Sequence, residues 1–254
     1  MTATARTARR RRPWIALVVV LAVVAALVVA AEVAARAIVP GIVRSIVIEQ
    51  LDLPADQQLD VEVSGILLPQ LIAGRLDQLH LASGKVTLGG VTGSADVTAT
   101  DVPVSGGELG SASGTVSIDQ AQLQALLAGS ELPIDEIALD EPNVTVTGSV
   151  DVLGRAVPVG LTATPGADAG ELLLTPVSAS LAGNEIDLQR LGSLLGAAGA
   201  RLTDTQRLCI ADRLPAGITL TGLRVDGERA VIDIAADGRI AVDPALLENG
   251  TCSG

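Results

Sequence analysis

Residues 217–235 read "GITLTGLRVDGERAVIDIA". Apolar and polar residues alternate on both sides of Asp226-Gly227, a dipeptide suited to a tight β turn. The spacing predicts an antiparallel hairpin, with one apolar and one polar face per strand. The same period recurs upstream. In "NVTVTGSVDV" (143–152), Val144, Val146, Val150 and Val152 point one way, and Thr145, Thr147, Ser149 and Asp151 the other. "VPVGLTA" (157–163) repeats the pattern after a short "LGR" connection (153–155). "VSASL" (177–181) leads into a turn signal at Gly183-Asn184, and residues 85–104 hold two or three further strands. Near Asp101 the apolar phase shifts from Val97 and Ala99 to Val102 and Val104, which predicts a bulge.

Three helical patterns interrupt the strands. "SIDQAQLQALLAGS" (117–130) opens with the capping-box spacing of Ser117 and Gln120, shows Leu123, Leu126 and Leu127 on one face, and stops at Gly129. Residues 187–202 form a second helix weakened by glycines. Residues 32–53 carry Val39, Val43, Ile46 and Val47 at helical spacing, with Ile38 and Ile42 beside them. Arg36, Arg44 and Glu49 fall off that stripe, and Pro40-Gly41 weakens the helix. One-sided strands need a cover over their apolar face. The expected fold is therefore α+β, a curved antiparallel sheet wrapped around one or more helices.

Ahead of this body, residues 14–31, "WIALVVVLAVVAALVVAA", carry no charge. Eighteen helical residues span about 27 Å, close to the roughly 30 Å hydrocarbon core of a bilayer. Arg6, Arg9, Arg10, Arg11 and Arg12 precede the run, and no acid precedes Glu32. That asymmetry predicts a cytoplasmic basic tail (1–12), a transmembrane anchor (13–31) and an extracytoplasmic domain (32–254). A cleaved signal peptide is the competing reading, because the alanines of residues 30–37 supply candidate cleavage sites. Both readings export the body. In an oxidising compartment Cys209 and Cys252, the two cysteines of the chain, are expected to form a disulfide. The alternative, a metal pair, lacks Cys or His partners nearby.

Composition excludes several functions. From Glu32 onward 29 acids face twelve bases, a poor surface for nucleic acid and for a broad electrostatic grip on anionic headgroups. Phe and Tyr are absent and Trp14 is the one tryptophan, so any interior is built from Leu, Ile, Val and Ala. The single histidine, His80, alternates with leucines as on the outward face of a strand. "GSASG" (110–114) misplaces its serines for a nucleophile elbow and reads as a flexible turn. No phosphate-binding glycine loop appears, and "DEIALDE" (135–141) reads as a solvated face rather than a calcium loop. No metal site, cofactor or catalytic residue is expected, although acidic pairs of the glycosidase type are too plentiful to single one out or exclude.

The order of these features resembles the LmeA-like phospholipid-binding family of actinobacterial envelope proteins, from about residue 45 to residue 245. The post-membrane helix, "VEVSG" (61–65), "LIAGRLDQLHL" (71–81), "SIDQAQLQALL" (117–127) and "LPAGITLTGLRVDGERAVIDIAA" (214–236) carry the resemblance. Family members often hold an aromatic G-F-P-F-L-type turn where this chain has "GILLPQL" (65–71), which removes any stacking by that turn. The resemblance implies a tubular lipid-binding fold with an apolar groove for acyl chains. It also implies phospholipid binding or movement, particularly of inositol phospholipid, in support of envelope glycolipid assembly, with no catalysis and no cofactor. The expected partners are then phospholipid, the membrane and envelope-biosynthesis enzymes.

Within that frame Leu67, Leu68, Leu71 and Ile72 are candidate lipid-binding residues at a groove mouth or bilayer edge. Gly74 makes the turn, and Arg75 is the nearest cation for a headgroup phosphate. The competing readings are a leucine plug under a turn, a salt-bridged Arg75, and a body acting as a structural adaptor that scaffolds envelope enzymes without binding lipid.

Overall fold

The computed structural model describes residues 13–50, 54, 57–88, 91–128, 134–152, 155–168, 170–188, 190 and 204–252. The basic tail lies outside these residues, as do the Gly129 stop, Leu153-Gly154 of the "LGR" connection and residues 191–202 of the glycine-weakened helix.

Helix α1 (Pro13–Gln50) is a single element that joins the apolar run to the body without a break. It passes straight through Pro40 rather than stopping there. Beyond Glu32 it lies against strand β1 (Asp60–Val63) and helix α2 (Leu67–Ala73). Val39, Val43 and Val47 are partly covered by this packing, as the stripe predicts. Two details differ. Ile46 is exposed together with Ile38 and Ile42, and Arg44 lies on the covered side. There it donates from Nη2 to the carbonyl of Gln57 at 2.6 Å. A backbone carbonyl turned toward the helix makes that side acceptable to a guanidinium.

Two six-stranded antiparallel sheets follow, so the curved sheet is divided in two. The first sheet contains β1, β2 (Arg75–Leu88), β3 (Val91–Pro103), β4 (Ser111–Asp119), β12 (Arg229–Ala236) and β11 (Ile218–Asp226), in that order. The second runs β10 (Gln206–Cys209), β8 (Glu171–Leu181), β7 (Arg155–Asp168), β6 (Asn143–Val152) and β5 (Glu136–Asp140), with β9 (Asn184–Asp187) also on β8. β11 packs beside β7. Buried Leu220 and Val225 of β11, Ile137 and Leu139 of β5 and Ala163 of β7 mark the core of this junction. Cys209 and Cys252 are bonded, closing a loop of 43 residues; loop entropy gives about 4 kcal/mol of stabilisation for that length.

Several local expectations yield to strand pairing. Ser117 does not cap a helix. β4 continues through Asp119, with Ser117 paired to Val231 and Ser94, and α3 (Gln120–Ala128) starts only afterwards. "GSASG" is strand from Ser111, because Gly114 allows Val97 and the Asp96 carbonyl to approach within 3.1 and 3.2 Å of where a Cβ would stand. The hairpin turns fall one residue from their expected places, at Gly227-Glu228 and Ala182-Gly183. Asp101 breaks the phase of β3 by adopting φ 52°, while the register with β2 shifts elsewhere, between Ser83 and Val86.

Helix α3 has a specific task. Gln120 Oε1 accepts from the Leu139 N–H (2.8 Å), and Gln124 Oε1 accepts from the Ile137 N–H (2.7 Å). Gln124 Nε2 donates to the Asp135 carbonyl at 2.9 Å. Two glutamines one turn apart thereby satisfy an otherwise open sheet edge. Replacing both with Met leaves two strand N–H groups unpaired, at about 1–3 kcal/mol each. Hydrogen exchange of the Ile137 and Leu139 amides should accelerate in Gln120→Met with Gln124→Met, while the amides of β12 change little. Unchanged exchange at both amides would show that the glutamines do not hold this edge.

Candidate functional site

The segment after β1 folds into a helix that local sequence alone does not cap. Ile66 precedes α2 and offers no capping side chain. The missing acceptors come from α1: Glu32 Oε1 takes the N–H of Leu67, and Oε2 that of Leu68, both at 2.9 Å. Pro69, third in the helix, has no N–H to satisfy. Arg36, one turn after Glu32, donates to Glu32 at 2.8 Å and to the Gly65 carbonyl at 2.6 Å. An acid and a base on one helix face thus grip successive residues of the turn, directly where the uncharged run ends.

Inside the turn, buried Gln70 ties its two flanks together. Its Oε1 accepts from the Asp77 N–H (3.0 Å) and its Nε2 donates to the Ser64 carbonyl (2.8 Å). Gly65 has φ 81°, and a Cβ there would stand 2.7 Å from Gln70 Nε2. Gly74 ends the helix in the left-handed conformation (φ 74°, ψ 14°), as a C-terminal glycine does. β2 then leaves at Arg75.

The predicted mouth residues divide by exposure. Leu67 is 1% exposed, with Leu76 and Leu79 buried nearby in the chain. Leu68 and Leu71 are half-buried, and Ile72 is 86% exposed. Arg75 pairs with the Asp101 carboxylate and donates to the carbonyls of Asp101 (2.8 Å) and Glu108 (3.1 Å). The guanidinium thereby braces the 101–108 loop against the start of β2. His80 lies on strand β2, as expected, with Nε2 2.9 Å from Asp96 Oδ2. Among the described residues no group of three His, Cys, Asp or Glu side chains is placed to hold a metal.

The register exposes a feature that motif reading did not resolve. Val61, Leu81, Val97, Gly114, Ile234 and Leu220 form one row across all six strands of the first sheet. The next row on that face is Val63, Leu79, Ala99, Ala112, Ala236 and Ile218. Glu62, His80, Thr98, Ser113, Ala235 and Thr219 alternate with them on the other face. The aliphatic face is only partly covered: Leu79 and Leu220 are buried, but Val61, Leu81, Val97 and Ile234 are intermediate. The second sheet repeats the arrangement with Ile137, Val146, Leu161, Ala179 and Ile186 in one row. Exposure along it goes from 7% at Ile137 to a maximum of 45% at Leu161 and is 36% at Ile186, and Leu181 on the same face reaches 51%.

Several charged groups pair at exposed edges of the sheets. Arg207 links β10 to Glu171 and Asp168, and these two carboxylates raise its pKa. Asp237 accepts from the Arg239 side chain and backbone, which holds its pKa at about 2 rather than the usual 3.8. That contact therefore contributes above pH 3.8 and is lost only as pH falls through about 2. A cleft of about 460 Å³ beside Asp119, Gln120, Ala121, Asp226 and Arg229 lies at the end of the first sheet opposite α2.

Two antiparallel sheets, each with an incompletely covered aliphatic face, define an α+β protein organised around apolar surface. The chain belongs to the LmeA-like phospholipid-binding family, whose model matches residues 29–234. No curated protein and no solved structure matches it.

The Glu32 contact is open to direct test. Glu32→Ala leaves the Leu67 and Leu68 N–H groups without their charged acceptor. The exchange of those two amides should rise sharply, and that of the Ile232 amide little. Equal exchange in the two proteins would disprove the cap.

Proposed function

We propose that this chain is a membrane-anchored extracytoplasmic phospholipid-binding protein that shelters acyl chains against its aliphatic sheet faces. The observation that carries the reading is the six-strand row Val61, Leu81, Val97, Gly114, Ile234 and Leu220, aliphatic apart from Gly114 yet mostly half-buried. Each methylene moved from water onto such a surface contributes about 0.8 kcal/mol, so a few buried carbons suffice to retain a chain. Membership of a phospholipid-binding family supports the ligand class. An inositol headgroup, a supporting role in envelope glycolipid assembly through envelope enzymes, and the absence of catalysis follow from the family resemblance and are part of the proposal.

Residues 1–12 form the cytoplasmic tail in this reading, 13–31 the anchor and 32–254 the lipid-binding domain. Leu68, Leu71 and Ile72 form the lip, with Leu67 as the plug beneath it. Arg75 marks the polar edge, where a headgroup phosphate would compete with Asp101 for the guanidinium. The fold also bears on leader processing. Ala35-Arg36-Ala37 has the small-x-small form of a cleavage site. Cutting after Ala37 would remove both Glu32 and Arg36, the residues that hold α2. Loss of those contacts at that site supports the reading in which the helix is kept as an anchor.

Two measurements check these statements. Full-length protein taken from membranes in mild detergent should carry phospholipid by native mass spectrometry. Leu161→Asp with Leu181→Asp should keep the thermal midpoint within a few degrees and lower lipid occupancy about tenfold, the equivalent of 1.4 kcal/mol. Lipid-free protein that also takes none from labelled vesicles would end the proposal. Intact-mass analysis of envelope-derived protein should retain residues 1–37; a mature chain beginning at Ile38 would contradict the anchored reading.

A further inference from the structure

The end of the first sheet nearest Glu32 gathers exposed apolar residues from separate segments. Ile66 precedes α2 and Ile72 lies in its last turn; they are 62% and 86% exposed. Val104, 53% exposed, donates its N–H to the Gly74 carbonyl at 3.0 Å, so it sits against the end of α2. The loop continues to Leu109, whose N–H meets the Gly238 carbonyl at 2.9 Å, and Val242 beyond it is 52% exposed. Leu247, 60% exposed, follows the residue whose carbonyl receives the Gly217 N–H. The register places these segments on one end. The pairs Arg75–Pro103, Thr100–Ser111, Ala112–Ala236 and Ala236–Ile218 step across the sheet at that same end.

That end is also where α1 passes from its uncharged half to the body, because Glu32 and Arg36 bind Gly65, Leu67 and Leu68. The inference rests on the anchored reading above. With residues 14–31 in the hydrocarbon core, the contacts of Glu32 hold this end at the bilayer surface. We propose that the body seats itself end-on in the outer surface of its own bilayer, with Ile66, Ile72, Val104, Val242 and Leu247 entering the interfacial layer. The occupant of this apolar rim is lipid rather than a protein, since continuity with the apolar helix places it there. The chain as a whole is acidic, which gives little electrostatic attraction to anionic lipid, so contact rests on apolar side chains.

The nearly aromatic-free sequence makes this measurable. In a Trp14→Leu background, one tryptophan is placed at a time by Ile72→Trp, Val242→Trp or, as a control at the opposite end of the sheet, Glu228→Trp. The full chains are reconstituted in phosphatidylcholine vesicles brominated near the glycerol end of the acyl chains. Reporters at 72 and 242 should both show blue-shifted emission and loss of intensity by bromine quenching, with neither change at 228. Emission at 72 and 242 like that at 228 overturns the proposal, and so does quenching at 72 without quenching at 242. Native mass spectrometry of protein extracted from the same vesicles separates the two readings. Bound lipid without quenching leaves the sheet-face proposal standing and removes the rim. Quenching without bound lipid does the reverse.

Discussion

Glu32 accepts two backbone N–H groups from a helix more than thirty residues away, and the placement of that helix follows from it. A seven-residue helix does not sustain itself in water. α2 forms because its first two N–H groups have a carboxylate, its third residue is proline, its last turn closes on Gly74, and Leu67 is buried beneath it. Three of these conditions are written into residues 67–74. The fourth comes from the first acidic residue after the apolar run, so the body is joined to the membrane-length part of α1 by charged hydrogen bonds as well as by the chain.

The sheets supply the second constraint. Valine, isoleucine, leucine and alanine predominate on one face, while serine, threonine and aspartate are concentrated on the other. A protein with this pattern must cover the first face or use it. Coverage is good where β11 meets β5 and β7, and it thins toward Leu161 and Leu181. Val and Ile side chains also carry no polar tip. Such a wall offers an apolar guest no hydrogen bond to match and no ring to stack on, so it selects by volume and solubility rather than by pattern.

Much of this was legible in the sequence where the decisive forces are local. The alternation in 143–152 and 217–235 reports the strands because each residue's face is set by its neighbours. Ser117 misleads for the opposite reason. Its capping-box spacing is genuine, but hydrogen bonds to β3 and β12 on both sides outweigh one cap. Asp226 remains in its strand and moves the turn by one residue. Of the candidate site, the greasy turn was visible but its helicity was not, since Pro69 and Gly74 read locally as loop signals and Glu32 lies far away in sequence. Arg44 shows the same limit: nothing in its neighbours foretells the Gln57 carbonyl that draws it to the covered side.

Helix α1 runs from Pro13 to Gln50 as one element, with no glycine-rich joint between its apolar half and the half that lies on β1. An unbroken helix transmits rotation as well as position. The residues of its first half are therefore at fixed azimuths relative to the two sheets. A neighbour that grips one stripe of the apolar half meets the aliphatic faces at a set bearing. The body has no swivel of its own, and orientation about the helix axis is decided by whatever surrounds residues 14–31.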